Sequence, residues 1–390
     1  MSAAMLYAKS IPQMVQFPEA KLLAATPATG TTRNCAIDHI RIVLTALVVF
    51  HHVAIVYGGA GGWYWRERPN ASNPVLVMFN AVNQAFFMGF FFLLAGYYTH
   101  SSYQRKGAGR FLAGRLLRLG VPLLFYFFVL APFTVALANT SKGLAFWPGW
   151  WTMTRSGAFG PGPLWFAEAL LLFSGLYVVW RQLRPTTGAA AGLPGVGVLA
   201  LTALVLGCVS FLVRLEMPTG REFAWLQLGY FPCYIYLFVA GCVAGRTHLL
   251  EQVTLRQAQP WMIVSLLAIL TLPLVVFLHV WRGTFNGGWN FNALYYALWD
   301  PLVAWGVILG MLWAVRIYWS HATPFTDWLA HNAYGVYIVH PPIVVGASLM
   351  AAAWTLNPLA KFAIVGTAAC VGSLLAAALL RSIPGARQIL

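Results

Sequence analysis

An all-α polytopic membrane protein of about ten transmembrane helices, with both termini in the cytoplasm, is the fold class that this sequence predicts. Composition, the spacing of apolar runs and the placement of charge carry that reading. Of the 390 residues, 60% are hydrophobic and only 8% charged, whereas a soluble domain carries about 25% charged residues. A mean hydropathy of +0.71 points the same way. The net charge of +15 is no sign of a nucleic-acid partner. Most lysines and arginines stand in short connections between apolar runs, where they orient spans in a bilayer.

The chain begins with a stretch, residues 1–36, that has no sustained apolar core. Its Pro-, Thr- and Gly-rich "ATPATGTTRN" reads as a flexible cytoplasmic tail rather than a cleaved signal. A helix needs roughly 20 apolar residues to cross the hydrocarbon. By that rule spans fall near 40–60, 75–99, 112–137, 164–181, 193–213, 225–245, 260–281, 291–315, 326–350 and 357–380, together a membrane domain over 37–385. Gly, Pro and charge clusters such as "GGAGG", "QRKGAGR" and "RLEMPTGRE" separate them. With the N-terminus inside, the tail and the even-numbered connections hold fifteen Lys and Arg, and the opposite side eight. That excess predicts N-in and C-in.

Five scattered cysteines with no C-x-x-C pair argue against a disulfide framework and a zinc cluster. The nine histidines are too dispersed to propose a metal site, and no metal is expected. P-loop, zinc-protease, nucleophile-elbow and dinucleotide fingerprints are all missing.

The first span, "AIDHIRIVLTALVVFHHVAIVYGG", keeps ionisable groups on itself. Eleven steps at about 100° bring Arg41 and His52 within roughly 20° of one helix face, on the order of 16 Å apart along the axis. Arg41 then lies near the cytoplasmic boundary and His52 deeper. Such residues usually face a bundle interior or a watered cavity. Asp38, one turn before Arg41, suits either a partner or a helix cap.

Arg110, Arg115 and Arg118 cluster in "GRFLAGRLLRLGVP". They suit simple positive-inside anchoring, or a clamp for the phosphates of coenzyme A, since guanidinium forks match phosphate oxygens. His340 falls mid-span in "NAYGVYIVHPPIVV", with Tyr334 and Tyr337 before it; the two following prolines should break the helix unless neighbours satisfy the freed carbonyls. Glu168 and Asp300 are intramembrane carboxylates with no partner visible in the sequence. Trp147, Trp150, Trp151 and Trp165 sit among glycines and prolines, suiting an interfacial aromatic belt or a stacking platform for a sugar ring.

With these residues in hand, the chain resembles the membrane-bound acyltransferase-3 family. "IDHIRIVLTALVVFHH" is similar to its Asp-x-x-Arg opening and to its Arg followed, after ten residues, by His. "FFFLLAGYYT", "RLLRL", "PLWFAEALLLFSGLY" and "AYGVYIVHPPIVV" resemble further family segments, in order, over residues 37–385. The similarity is nearest the branch with the succinyltransferase of periplasmic glucans. Two positions depart from the pattern: Ala95 stands where the family has serine, and Tyr97 where it has phenylalanine.

The resemblance implies an integral protein of the bacterial inner membrane. It would move an acyl group, acetyl or succinyl, from cytoplasmic acyl-CoA to a hydroxyl of an extracytoplasmic glycan or lipid. His52 would be the general base and Arg41 would orient the thioester. Arg110, Arg115 and Arg118 would hold the donor, while His340, Glu168, Tyr337 and Trp165 would position the acceptor. Direct transfer and an acyl-histidine relay both remain open. The alternative is a proton-coupled secondary transporter, since buried His, Arg and carboxylates also build proton relays.

Overall fold

The computed structural model describes residues 34–157, 159–184, 192–278 and 283–389. The expected tail lies outside the described residues as far as Arg33. Every regular element is helical: α1 (Cys35–Val56), α2 (Pro74–Arg115), α3 (Val121–Phe125), α4 (Ala131–Asn139), α5 (Phe146–Arg155), α6 (Trp165–Leu183), α7 (Val196–Glu216), α8 (Phe231–Ala244), α9 (Leu255–Phe277), α10 (Phe291–Tyr318), α11 (Pro324–Met350), α12 (Pro358–Ser382) and α13 (Ala386–Ile389). Among the described residues no strand forms beyond one isolated bridge, Phe223 to Leu226.

Among the described residues, eight helical runs are long and apolar enough to cross a membrane. One of them, Pro74–Lys142, is 69 residues long and breaks at Gly107 (φ 71°, ψ 170°), a backbone conformation that glycine alone adopts cheaply. Counting that run as two arms, and adding the shorter apolar helix Leu228–Ala244, the ten apolar stretches read from the sequence are all present. Asn73 starts α2 by accepting from the Val75 and Leu76 N–H groups, which supplies acceptors for the exposed first turn.

Helix contacts in this bundle depend on small residues, as expected where lipid offers no hydrophobic drive for association. A Cβ on Gly96 would lie 2.1 Å from the Phe238 carbonyl oxygen, and one on Gly241 would lie 2.1 Å from that of Leu93. Thus α2 and α8 pack backbone to backbone. The outer helices α7 and α9 turn leucines and valines outward, among them Leu201, Leu212, Leu266 and Leu274, each more than half exposed. Helices α1 and α11 are far more enclosed, and they carry His52 and His340.

Two expectations change. The prolines at 341 and 342 do not break α11, which runs unbroken from Pro324 to Met350. Arg214, counted in a connection, instead lies in the last turn of α7 with 1% of its surface exposed. Its Nη2 donates to Asp300 Oδ2 at 2.5 Å and its Nε to the Gly229 carbonyl at 3.0 Å. The guanidinium also lies over the Tyr230 and Tyr296 rings. Asp300 therefore has its partner, 86 residues away in sequence. A buried charge needs such a partner.

Candidate active site

Where α1 ends, the chain turns through residues 57–73 and re-enters the bundle as α2. This connection folds back over the helix end. The Glu67 N–H donates to the Val56 carbonyl at 3.1 Å and Asn73 N–H to that of Gly58 at 2.9 Å. Arg66 Nη2 donates to the Gly59 carbonyl at 2.9 Å. The Glu67 carboxylate also pairs with the buried ammonium of Lys361, in the first turn of α12.

Fixed in this way, the connection lays Trp63 flat on His52, with ring centroids 4.0 Å apart and planes 22° from parallel. His340 of α11 lies beside both rings, its centroid 6.1 Å from that of Trp63 and its Nε2 3.2 Å from His52 Nδ1. His340 itself has no exposed surface, and its Nδ1 lies 2.8 Å from the Tyr337 carbonyl oxygen. The neighbouring His51 stands between two amides, with Asn83 Nδ2 3.2 Å from Nδ1 and Asn80 Nδ2 3.4 Å from Nε2. A neutral imidazole has one acceptor nitrogen, so it accepts from one of these amides, while both amide nitrogens also donate to backbone carbonyls, Asn80 to that of Ala60 at 2.9 Å and Asn83 to that of Leu47 at 3.3 Å.

His52 and His51 face a cavity of about 1100 Å³. Its wall is aromatic and amide-rich, including Trp63, Trp165, Tyr230, Tyr234, Asn80 and Gln84. Among the described residues that line it, Glu222 is the one carboxylate, and there is no lysine or arginine. Tyr64, also on the wall, shares a hydrogen bond with Tyr126, Oη to Oη at 2.7 Å. Burial pushes the Tyr64 phenol up to about 12, although the bond to Tyr126 pulls the other way. It therefore stays protonated at neutral pH. Gly162 makes room for this pair: a Cβ there would lie 2.4 Å from Tyr64 Oη.

The residues singled out in the sequence divide between two places. His52, Tyr337 and Trp165 line the cavity, and His340 lies beside His52. Tyr337 also donates its hydroxyl to the Pro163 carbonyl, tying α11 to the start of α6. The remaining residues are not in the cavity wall. Arg41 lies on the same unbroken helix as His52, with Nη1 3.1 Å from Asp38 Oδ1. Since α1 begins at Cys35, Asp38 is a partner in the first turn rather than the cap. Arg115 donates to Thr99 Oγ1 at 2.9 Å, while Arg110 and Arg118 are exposed. Glu168 sits half-buried in the first turn of α6. Of the four tryptophans considered as a platform, only Trp165 reaches the cavity; Trp147 and Trp151 point outward from α5, 69% and 59% exposed.

Trp63, Tyr64, Asn80 and Asn83 were not anticipated. The first two lie in a Gly-rich segment that served only as a break between spans. Its run of three aromatics, "WYW", was the available signal.

No curated protein and no solved structure matched the chain. A family model did: the acyltransferase-3 model, described as an acyltransferase domain, matches residues 34–380. That is nearly the whole described bundle, with His52, His340, the cavity wall and the arginine cluster all inside it. The chain is a member of the membrane acyltransferase-3 family, and so an integral-membrane acyltransferase.

Proposed function

We propose that this enzyme carries an acyl group from cytoplasmic acyl-CoA to a hydroxyl of an extracytoplasmic glycan, with His52 as general base. The observation that carries the reading is the cavity at His52. Flat aromatic rings suit the apolar faces of sugars, and the surrounding amides suit their hydroxyls. A lipid alcohol is the second acceptor class that the family resemblance allows. The setting would be the bacterial inner membrane, with both termini in the cytoplasm, as the charge bias of the connections indicates.

In this mechanism the acceptor O–H gives its proton to His52 as its oxygen attacks the thioester carbon. The tetrahedral centre then collapses, the C–S bond breaks and the coenzyme A thiolate leaves. The proton on His52 passes to the sulfur. Base catalysis of this kind contributes about 10²–10⁴-fold. Arg115 and Arg118, with Arg110, would hold the donor's phosphates. Arg41 would meet the pantetheine arm about 16 Å along α1 from His52. Glu168, on α6, would help position the acceptor at its side of the bundle.

The cavity wall also bears on the acyl group. A succinyl carboxylate desolvated beside His52 would meet no lysine or arginine among the described lining residues. An unpaired buried charge is costly, so an uncharged acyl group such as acetyl fits this site better than succinyl.

The test is acyl transfer by the purified chain in nanodiscs, with acetyl-CoA or succinyl-CoA and a soluble glucan, read by mass spectrometry. Gain of one acetyl mass is expected with acetyl-CoA, and little transfer with succinyl-CoA. Coenzyme A released with no acylated sugar would remove the glycan from the reading. The family decides for an enzyme over the proton-coupled carrier that the sequence left open.

A further inference from the structure

We infer that His340 is a positioning residue for His52, and that Pro341 sets which nitrogen of each ring carries the proton. This rests on the reading of His52 as the base. In an α-helix each carbonyl accepts the N–H four residues on. The Tyr337 carbonyl would look to residue 341, which is proline and has no N–H to give. Left alone in a buried helix that oxygen would be costly. His340 supplies the missing donor, with Nδ1 2.8 Å away.

The rest follows from counting protons. A carbonyl only accepts, so the proton of neutral His340 is on Nδ1, and its Nε2 is bare. That bare nitrogen lies 3.2 Å from His52 Nδ1. It too can only accept, so His52 carries its proton on Nδ1. The lone pair of His52 is then on Nε2, the atom left to take the acceptor's proton. Histidine side chains in water favour the opposite form, protonated on Nε2, so the site has to impose this one. Trp63, stacked on His52 at 4.0 Å, opposes a ring flip. When His52 gains its second proton, the bond to His340 becomes charge-assisted and stronger. His340 thus steadies the imidazolium without touching substrate.

Pro341→Ala offers a clean test, because it gives the helix back an N–H and improves it. The Tyr337 carbonyl then has a backbone donor and no longer fixes His340. We expect kcat to fall about tenfold with the acceptor KM within about twofold, the signature of an interaction made in the transition state. His340→Leu should fall on the order of 100-fold, short of the roughly 10⁴ seen when a base is locked in its wrong tautomer. His340→Gln should recover much of that loss, since its amide oxygen can accept from His52 Nδ1. A leucine that merely disturbed packing would not be rescued by glutamine. Ring-¹⁵N histidine spectra of the intact chain should show His52 protonated at Nδ1 in the wild type and mixed in Pro341→Ala. Wild-type rates in both His340→Leu and Pro341→Ala, with His52→Ala inert, would overturn this proposal alone. A fully active His52→Ala would instead overturn the reading beneath it.

Discussion

The two ends of this bundle treat their polar residues in opposite ways. At the cavity end His51, His52 and His340 are held by carbonyls, amides and flat rings, and the wall around them is almost free of charge. At the other end, where α1 begins and the first arm of α2 finishes, the arginines are numerous and several lie at the surface. Arg118 and Arg110 are exposed, and Arg115 gives one hydrogen bond to Thr99. Enclosure with fixed neighbours suits a group whose proton must be in one place during a reaction. Mobile, hydrated cations suit the capture of a charged molecule from water. On the proposed reading, rate belongs to one end and donor affinity to the other.

The largest effect belongs at the cavity. His52→Ala should lower acyl transfer on the order of 10³-fold, in the range for loss of a general base. Acyl-CoA binding, measured by calorimetry in nanodiscs, should change little. A comparable loss of donor affinity would merge the two ends into one site.

Next is the connection that holds Trp63. Lys361 is 3% exposed and pairs with the Glu67 carboxylate. Lys361→Met leaves that carboxylate unpaired at a partly buried site, which costs on the order of 3 kcal/mol. Both the melting temperature and kcat should fall. Replacing Glu67 by leucine as well should recover most of the melting temperature, because the orphaned charge is gone. If kcat stays low in the double variant, the pair positions Trp63 as well as stabilising the fold.

Much of this architecture could be read from the chain, and the reasons for the rest are specific. The spans were legible because length and apolarity are local properties. The Arg41–His52 stripe was legible because helical periodicity acts within one element. Arg214 and Asp300 were not joined, because they stand 86 positions apart with two helices, α8 and α9, between them. Trp63 was missed because only the fold-back of 57–73 brings a loop residue onto α1. The prolines after His340 misled in a useful way. The rule that proline frees a carbonyl was right, but the freed carbonyl found its donor in the preceding residue's own side chain. A similar exchange occurs at Pro122, where the Arg118 carbonyl four residues back accepts the Tyr334 hydroxyl at 2.7 Å. That bond ties the arginine element to the helix carrying His340.

At the arginine end, changing Arg115 and Arg118 together to alanine should raise the acyl-CoA KM about tenfold, or roughly 1.4 kcal/mol, while kcat at saturation changes much less. The wild-type KM should itself rise with salt, because exposed cations are screened over about 8–10 Å at ordinary ionic strength. The double variant should lose most of that salt dependence. A salt-independent wild type would mean that these side chains anchor the bundle and do not meet the donor.

The smallest effect concerns Tyr97, where the family pattern has phenylalanine. Its hydroxyl donates to Glu251 Oε1 at 2.7 Å and lies 2.9 Å from His248 Nδ1. Glu251 also presents its backbone carbonyl to Arg316 Nη1 at 2.6 Å. The tyrosine thus joins α2 to the turn after α8, and through that turn to the end of α10. Tyr97→Phe removes one hydroxyl from a network that water can partly enter, since the His248 and Glu251 side chains are 70% and 42% exposed. The expected cost is about 1 kcal/mol or less, read as a melting shift of a few degrees. Transfer kinetics should be unmoved, because the hydroxyl lies among the arginines and outside the cavity wall. A fall in kcat without a fall in stability would show that the two ends communicate through α2, and the division of labour between them would have to be redrawn around that helix.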